Sequence, residues 1–422
     1  MVSQLKMDGK NILIGVSGSI AAYKACELVR LFINAGANVR IVMTEAAKRF
    51  VTPLTFEALS GNAVLEEKNE SWCSDLNHIG IGEWADIFII APASANTINK
   101  LANGIADNLL LQTALAFDKT ILLCPAANTK MIENPTTVAN IKRLKLHRLE
   151  VVEPQVGKLA CNTVGNGAMA DPKVIFATSS KYLFADDFWT NRRVVVTGGG
   201  TIEKIDDVRY LTNFSSGKMA ESLVTALYAK GADVCYITTR EPQDIPPVHV
   251  IKVESTDEML QYTIDALRIA KKGILSKPSF HNDISQPQLI QKTPWLFMAA
   301  AVSDYRPAFP QQGKLKKSIL DDKWILEMVK NPDILKTINK DGIKTVAFKA
   351  EMDKANALKN ATTLLEEKGV DAVALNILEN SKSFGTDTNS VTLIRKDKEN
   401  IDIPRNDKLN IAFSILENLK EQ

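Results

Sequence analysis

The sequence predicts an α/β fold with two doubly wound, Rossmann-like domains. Its 422 residues exceed what one ordinary hydrophobic core accommodates. Short apolar segments rich in β-branched residues alternate with segments of helical periodicity, which is typical of βαβ units and parallel sheets. The pattern begins near residue 11 and begins again near residue 193. We therefore predict domains at 1–188 and 189–422, with the boundary close to Asp186–Asn191.

The first βαβ unit begins with a strand at residues 11–16, which are apolar and end at the turn Ser17–Ser19. Ser19 is a suitable N-cap for the helix that follows, and Gly36 stands where a C-terminal cap is expected. Val39–Met43 then predicts the second strand. A strand, a tight loop, a helix and a second strand in this order predict neighbouring parallel strands.

Two more strands complete the first half. Ile87–Ala91 predicts a strand that runs into the hydroxyl-rich loop 92–97, and Ile121–Cys124 predicts another. One helix is expected after the loop, and four apolar residues share its face: Ile98, Leu101, Ile105 and Leu109. Ligands of such sheets bind beyond the carboxyl ends of the strands, so the loops there are the candidate site.

The second half repeats this pattern. A strand at residues 193–197 is followed by a loop of three glycines, a helix over about 216–230 and a strand at Val234–Thr238. Three further strands are predicted at Trp295–Ala300, Thr345–Phe348 and Ala372–Leu375. The polar stretch 272–293 is interpreted as a surface insertion without a chemical role.

Composition restricts the function classes. A formal net charge of +2 argues against a surface that coats nucleic acid, and no apolar run reaches the roughly 18–20 residues that span a bilayer. Residues 1–10 do not resemble a secretory signal. The five cysteines are scattered, which fits a reducing compartment. We expect a cytoplasmic protein that acts on small molecules, without a nucleic-acid or membrane partner.

Small and hydroxyl-bearing residues predict a phosphate site in the first half. A turn of such residues at a helix N-terminus lets backbone N–H groups approach an anion, although a plain strand–helix connection explains a lone glycine-rich turn equally well. The second strand ends without the acidic residue that holds an NAD ribose, which favours a mononucleotide. The predicted cofactor-binding residues are Ser17, Gly18, Ser19, Thr44, Ser94, Ala95, Asn96 and Thr97.

Four ordered motifs make the first half specific. GSIAAYK at 18–24, PASANTINKLANGIADNLL at 92–110, PAANTKM at 125–131 and GKLACNTVGNGAMAD at 157–171 resemble the FMN-dependent cysteine decarboxylase family, above all the phosphopantothenoylcysteine decarboxylases. The resemblance covers about residues 10–175. It implies a flavodoxin-like FMN-binding fold, and subunits that assemble as trimers or dodecamers.

The resemblance also implies three catalytic residues. His78 would act as acid and base near the substrate thiol, Asn128 would bind the departing carboxylate, and Cys161 would protonate the enethiolate from a flap. In that family flavin first oxidises the thiol-bearing carbon, so that the resulting thioaldehyde stabilises the electrons left by CO2. Each residue alone also has a structural interpretation, such as turn capping for Asn128 or packing for Cys161.

The chain departs from the decarboxylase pattern at three positions. The family usually has Met where Ala127 stands, Gly at Asn162 and Arg at Ala168. The last two flank Cys161, so they bear on the geometry of the flap and on contacts to the carboxylate or phosphate. They remove no proposed catalytic group.

The second half contains another predicted anion site. The glycine loop after residue 197 and the segment before the helix at Lys218 together favour phosphate binding. The group Asp206, Asp207 and Arg209 is by itself typical of a solvated turn, and lysine runs are usually a soluble face. Asp304 at a strand end, with Lys314 shortly after it, is also how a metal–triphosphate is held.

These motifs resemble the phosphopantothenate–cysteine ligases over about residues 190–400. The resemblance implies that CTP activates the carboxylate of 4′-phosphopantothenate as an acyl-cytidylate, which the amine of L-cysteine attacks. Asn213 would hold the intermediate, Lys314 would stabilise phosphate charge, and Asp304 would bind Mg²⁺ or the nucleotide. The implied CTP pocket consists of Ala299, Ala300, Asp304, Lys314, Asn331, Pro332, Asp333, Ile334, Phe348 and Lys368. Four residues before Lys368, where the resemblance leads us to expect another lysine, the chain has Leu364.

Together the two resemblances imply a bifunctional enzyme of coenzyme A biosynthesis. Two alternatives stay open. A flavin-binding regulatory protein would be expected to lack Cys161 or Asn128, and both are present. An enzyme with only one active half is supported by the departures at Ala168 and Leu364.

Overall fold

A computed structural model describes residues 1–147, 149–158, 164–276, 287–315, 324–378 and 385–420. The chain divides into two compact units. The N-terminal unit spans Val2–Ala185, and the C-terminal unit contains Asp186–Ile274 and the residues from Leu289 onward. Each unit is built on its own sheet.

The N-terminal unit has a five-stranded parallel sheet in the order β2-β1-β3-β4-β5. Its strands are β1 Asn11–Val16, β2 Asn38–Met43, β3 Ile87–Ala93, β4 Ile121–Pro125 and β5 Leu149–Val151. Helices cover the sheet, so the central strands are buried almost throughout and consist of continuous apolar runs. The order 2-1-3-4-5 is that of flavodoxin-like sheets, and the predicted fold class is confirmed.

Eight helices and a hairpin complete the described part of this unit. The helices are α1 Ala22–Asn34, α2 Pro53–Ser60, α3 Gly80–Trp84, α4 Ala95–Ala102, α5 Leu109–Ala116, α6 Thr129–Ile132, α7 Pro135–Lys145 and α8 Pro172–Leu183. The hairpin strands are β6 Gln155–Lys158 and β7 Val164–Ala168, and short 3-10 turns lie at residues 2–4 and 47–49. Phe32 of α1 packs on Phe176 of α8 with ring centroids 5.1 Å apart, which fixes both helices on one face of the sheet.

The prediction of one helix through residues 98–109 is wrong. The chain leaves the helix after Ala102, and Gly104 adopts a left-handed conformation with φ of 69°. A new helix, α5, begins at Leu109, where the Asn108 side chain accepts a hydrogen bond from the Leu111 N–H. Ile105 is therefore exposed rather than on an apolar face. Local capping interrupts a periodicity that looked continuous.

The predicted N-cap at Ser19 is also corrected. Helix α1 begins at Ala22, and Ala21 precedes it without a side-chain cap. The Ser19 hydroxyl instead accepts the Ala21 N–H at 3.3 Å, and the Ser19 carbonyl accepts the Ala22 N–H. Ser19 thus stabilises a tight turn that leads into the helix.

The C-terminal unit has an eight-stranded sheet in the order β12-β11-β8-β15-β18-β19-β20-β21. Its strands are β8 Arg193–Gly198, β11 Asp233–Thr238, β12 His249–Lys252, β15 Trp295–Met298, β18 Lys344–Glu351, β19 Ala372–Ile377, β20 Thr388–Arg395 and β21 Ile401–Asp407. The strands through β19 are parallel, while β20 and β21 are antiparallel. Sequence analysis missed β12, β20 and β21. The edge strands β12 and β21 are largely exposed, and β20, between β19 and β21, is buried mainly in its second half, so none of the three has a continuous apolar run.

Where the structure describes this region, its remaining elements are five helices and several short strands. The helices are α9 Lys218–Ala229, α10 Thr256–Ala270, α11 Ile334–Thr337, α12 Ala357–Lys368 and α13 Lys408–Leu419. The strands are β9 Ile202–Lys204, β10 Tyr210–Thr212, β13 Ile274–Leu275, β14 Leu289–Ile290, β16 Tyr305–Pro307 and β17 Met328–Lys330. Helix α9 is buried along most of its length because it packs against both the sheet and α13.

Candidate active sites in the two units

The N-terminal candidate site lies where the strand order reverses. From β1 the chain goes to β2 on one side and then crosses to β3 on the other. The loops after β1 and β3 consequently diverge at the carboxyl edge and leave a crevice, which is where ligands of doubly wound sheets bind. Both loops carry predicted phosphate-binding residues.

Ser17 joins these two loops. Its side chain is buried, its Oγ donates to the Pro92 carbonyl at 2.7 Å, and it accepts the Ser94 N–H at 2.8 Å. The one hydroxyl proton is used in the bond to Pro92. The Ser17 hydroxyl therefore joins the two walls of the crevice, and cofactor binding by Ser17 stays a prediction.

Other predicted cofactor residues surround the same crevice. Gly18 lies so close to Ala46 in the loop after β2 that an added Cβ would stand 2.6 Å from the Ala46 Cβ. Thr44 is buried and accepts the Ala47 N–H at 3.3 Å. Ser94 is the N-cap of α4, and its Oγ accepts the Thr97 N–H at 3.3 Å. The three loops at the carboxyl ends of β2, β1 and β3 therefore form one close-packed edge.

At the edge of this crevice the predicted residues differ in exposure. Ser19 is half-buried, Ala95 is buried in α4, and Asn96 is exposed. Thr97 is buried, and its hydroxyl lies 3.0 Å from that of Ser94. Backbone N–H groups at the start of α4, together with Asn96, are the groups best placed to meet an anion.

His78 is paired with a carboxylate that sequence analysis missed. The imidazole Nδ1 lies 2.7 Å from Glu70 Oε1, and the Trp72 ring stands perpendicular to it at 5.4 Å. A carboxylate at Nδ1 favours the tautomer with the proton on that nitrogen, which leaves Nε2 as the acceptor. Glu70 is eight residues upstream in an irregular segment, so no motif spacing indicated it.

Asn128 is the N-cap of α6, so the turn capping that the sequence analysis gave as an alternative role for this residue is present. Its Oδ1 accepts the Lys130 N–H at 2.9 Å, and the residue is exposed. The β6–β7 hairpin packs on this segment, because the Ala127 N–H donates to the Gly167 carbonyl at 3.1 Å. A Cβ at Gly165 would come within 2.3 Å of Thr129 Oγ1, so the contact requires glycine.

Cys161 and Asn162 lie outside the described residues. The hairpin strands on either side of them do lie within the described part, and β7 contacts the helix that Asn128 caps. Ala168, at the end of β7, is half-buried. The structure thus places the base of the hairpin on the Asn128 segment.

The C-terminal candidate site begins at the glycine loop after β8. An added Cβ on Gly198 would stand 2.6 Å from the Ala220 Cβ, so helix α9 packs directly on the loop. Gly199 and Gly217 have φ values of 83° and 74°, which side chains rarely adopt. Asn213 lies beside this loop, and its Nδ2 donates to the Val302 carbonyl at 3.1 Å.

A cavity of about 230 Å³ opens beyond the carboxyl ends of β15, β18 and β19 and the N-terminus of α9. Three predicted CTP-pocket residues, Ala299, Ala300 and Phe348, contribute to its wall. Other lining residues are Ser215, Ser216, Gly217, Lys349, Asn376, Asn389 and Lys408. The cavity lining therefore combines hydroxyl, amide and lysine side chains with apolar groups and the backbone at the start of α9.

Other predicted CTP residues group elsewhere. The Asp333 carboxylate caps α11 and forms an ion pair with Lys368. Burial lowers the pKa of Lys368, whereas the nearby charge of Asp304 raises it. Asp304, Asp333 and Lys368 thus form a charged cluster, and within the described part of the chain none of them lines the cavity.

Two further predicted CTP residues have structural roles. The buried Asn331 side chain donates to the Ser303 carbonyl at 2.9 Å and accepts a bond from Arg306 at 3.0 Å. Ile334 belongs to the hydrophobic core. Both side chains are therefore occupied in the fold. Leu364 packs against the core around α12, which explains an apolar residue at that position.

Lys314 is exposed on a segment that a buried carboxylate holds in place. Asp206 accepts the Leu315 N–H at 3.1 Å and two bonds from the Arg209 guanidinium at 3.0 and 2.6 Å. Asp207 accepts the Gly313 N–H at 2.7 Å. The Arg209 guanidinium holds the pKa of Asp206 well below its usual range. The interpretation of this turn as merely solvated is therefore wrong.

Three findings concern the described residues as a whole. They contain no group of three or more His, Cys, Asp or Glu side chains that could hold a metal ion. The four cysteines among them are free thiols. No described helix is both long and apolar enough to cross a membrane.

Comparison with known proteins places both halves in known families. The Flavoprotein family profile matches residues 2–183, and that of the DNA/pantothenate metabolism flavoprotein C-terminal domain matches 189–276 and 284–422. The coenzyme A biosynthesis bifunctional protein CoaBC of Bacillus subtilis (strain 168) is 35% identical over 420 residues, which cover 98% of this chain and 97% of that protein.

A second relative covers nearly the whole chain, and a solved structure resembles part of it. The protein of the same name from Escherichia coli (strain K12) is 32% identical over 94% of this chain and 93% of its own length. A crystal structure of the C-terminal domain of a CoaBC protein has 28% identity and a TM-score of 0.43, and covers 56% of this chain and 97% of that chain. With relatives above 30% identity along nearly its whole length, the chain belongs to the CoaBC family of bifunctional coenzyme A biosynthesis enzymes, which combine a flavoprotein decarboxylase domain with a ligase domain.

Proposed function

We propose that residues 189–422 join 4′-phosphopantothenate to L-cysteine with CTP, and that residues 1–188 decarboxylate the phosphopantothenoylcysteine formed to 4′-phosphopantetheine. The main support is that each unit has its own crevice at the carboxyl edge of its own sheet, formed by small residues and a helix N-terminus. Such crevices suit phosphorylated ligands, which both reactions require.

The N-terminal crevice fits FMN. Gly18 permits close approach of backbone, and the α4 N-terminus presents Asn96 and N–H groups to a phosphate. The Ser17 bridge holds the walls before the cofactor arrives. When bound, FMN supplies reversible two-electron oxidation of the thiol-bearing carbon.

Three residues act on the substrate in the decarboxylase domain. His78, oriented by Glu70, takes the thiol proton at Nε2 and later returns it. Asn128 donates its side-chain amide to the substrate carboxylate before CO2 departs. Cys161 delivers the proton that the enethiolate needs at carbon, and this proton together with the hydride that reduced FMN would return gives the saturated aminoethanethiol.

In the ligase domain the carboxylate of 4′-phosphopantothenate attacks the α-phosphorus of CTP and releases pyrophosphate. Lys314 stabilises the negative charge that develops on phosphate, and Asp304 would hold Mg²⁺, which would supply further positive charge to the triphosphate. Asn213 holds the acyl-cytidylate beside the glycine loop. Attack by the cysteine amine then forms the amide and releases CMP.

We also propose that the protein works as a homo-oligomer, either a trimer or a dodecamer. The support is the resemblance of its first half to trimeric flavin-dependent cysteine decarboxylases. Sedimentation of the full chain with bound flavin tests this, and a monomer would contradict it.

The decisive experiment is mass spectrometry after mixing the full chain with 4′-phosphopantothenate, L-cysteine, FMN and Mg-CTP. 4′-Phosphopantetheine together with CMP would support both activities. Accumulation of phosphopantothenoylcysteine would leave only the ligase, and decarboxylation of supplied phosphopantothenoylcysteine alone would leave only the decarboxylase. No product from either substrate would favour a flavin-binding regulatory protein.

A further inference from the structure

Lys408 is a buried lysine that neither the proposed catalytic residues nor the predicted CTP pocket includes. It is the first residue of α13, only 8% exposed, and its side chain lines the cavity at the α9 N-terminus. Its backbone N–H donates to the Asp387 carbonyl at 3.1 Å. Within the described part of the chain, its ammonium has neither a hydrogen-bond acceptor nor an ion-pair partner.

The groups around Lys408 leave positive charge in excess. Lys218, at the start of α9, donates to Asp387 Oδ1 at 2.6 Å and to the Gly385 carbonyl at 2.9 Å. Asp387 is thus already paired, and its side chain is 73% exposed. Lys349, also in the cavity wall, lies 3.7 Å from Glu351. Among the described residues around Lys408, three ammonium groups therefore accompany two carboxylates, and each carboxylate is paired with a lysine other than Lys408.

Burying an ammonium group without a counter-ion costs free energy, so the environment of Lys408 favours a bound anion. An ammonium without a counter-ion is unfavourable in a buried position, and folded proteins rarely retain one without a partner. Burial lowers the pKa of Lys408, and the nearby charge of Lys218 lowers it further, while Asp387 acts in the opposite direction. The N-terminal N–H groups of α9 add positive potential in the same cavity. An anion bound there would compensate all of these groups.

We propose that Lys408 and the N-terminus of α9 form a phosphate subsite, with Ser215 and Ser216 as additional hydrogen-bond donors. The group that we expect to bind at this subsite is a phosphoryl group. Given the proposed function, it belongs either to the triphosphate of CTP or to the 4′-phosphate of 4′-phosphopantothenate. Lys408 is thereby a binding residue of the ligase domain.

The test begins with a probe that does not depend on the proposed function. Binding of inorganic tripolyphosphate to the full chain is measured by calorimetry for wild type, Lys408→Met and Lys408→Arg. Lys230→Met is the matched control, because Lys230 lies at the other end of α9 and pairs with Glu417. We expect Lys408→Met to weaken tripolyphosphate at least tenfold, and Lys408→Arg and Lys230→Met to change it less than threefold.

Two further titrations identify the source of the phosphate. If Lys408→Met weakens Mg-CTP but not 4′-phosphopantothenate, the subsite holds the nucleotide. If it weakens 4′-phosphopantothenate but not unphosphorylated pantothenate, the subsite holds the 4′-phosphate. Either result supports the subsite. Dependence of tripolyphosphate binding on Lys408 without any ligase turnover would retain the subsite and reject the proposed function.

A purely structural role for Lys408 predicts a different pattern. In that case Lys408→Met would lower the melting temperature of the ligand-free protein and leave all affinities unchanged, which would overturn the proposal. Our proposal predicts an unchanged or higher melting temperature without ligand, because the variant removes an unpaired buried charge. Should Lys408→Met not fold, Lys408→Gln replaces it, with the same expected loss of affinity. Wild-type protein that binds no tripolyphosphate would also overturn the proposal.

Discussion

Replacing Ser17 with alanine tests whether this residue maintains the flavin crevice rather than contacting phosphate. The substitution removes the acceptor of the Ser94 N–H and the hydroxyl donor to the Pro92 carbonyl. The Pro92 carbonyl keeps a bond from the Ser17 N–H at 3.2 Å, whereas the Ser94 N–H loses the Ser17 hydroxyl as its acceptor. We therefore expect Ser17→Ala to destabilise the N-terminal unit even without flavin.

The expected loss follows from these two bonds. A buried N–H left without an acceptor costs about 1–3 kcal/mol, and an ordinary buried hydrogen bond contributes about 1 kcal/mol. Their sum is about 2–4 kcal/mol. Because 1.4 kcal/mol corresponds to a factor of ten, local opening should become roughly 30- to 700-fold more favourable.

Hydrogen exchange of the flavin-free full chain, followed by mass spectrometry, measures this opening in peptides from β1 and β3. Ser179→Ala is the matched control, since its buried hydroxyl donates only to the Phe176 carbonyl of the same helix, α8. We expect the control to cost less than about 1 kcal/mol, because alanine favours a helix more than serine does.

The competing explanation makes the opposite prediction. If Ser17 binds phosphate directly, Ser17→Ala should reduce FMN affinity while exchange in the flavin-free protein stays at the wild-type rate. That result would refute the structural assignment. Weaker FMN binding together with faster exchange would agree with it.

Two further predictions concern residues that position catalytic groups. Glu70→Gln should lower the decarboxylation kcat at least tenfold with little change in KM, because His78 loses the carboxylate that orients it. Ligase activity of the same variant is the internal control. An unchanged decarboxylation kcat would exclude this role for Glu70. Asp206→Asn should lower ligase kcat and leave decarboxylation intact, because the segment carrying Lys314 loses its charged anchor. Because Arg209 holds the folded-state pKa of Asp206 far below the unfolded value of about 3.9, ionised Asp206 stabilises the fold above that pH, and its contribution declines as the pH falls below about 4. The difference in unfolding midpoint between wild type and Asp206→Asn should therefore be larger at pH 7 than at pH 3.5; a pH-independent difference would contradict the assignment.

The sequence by itself determined the fold class and the position of the candidate sites. Apolar runs such as 11–16 and 193–197 lie in buried central strands, and in these strands burial on both faces selects the residues directly. Ligand loops at the carboxyl ends follow from the βαβ connection. Family motifs then indicated His78, Asn128 and Asn213, whose roles no local pattern would identify.

Only the tertiary structure decided which polar groups meet. Ser17 contacts Pro92 across a strand pair, and Asp206 contacts Leu315 across more than a hundred residues of sequence. No sequence pattern distinguishes Lys408 from other lysines, and its position in the cavity follows only from the packing of the sheet, α9 and α13. The physical reason is that hydrophobic periodicity reports burial along one element, whereas hydrogen-bond partners and unpaired charges depend on elements distant in sequence.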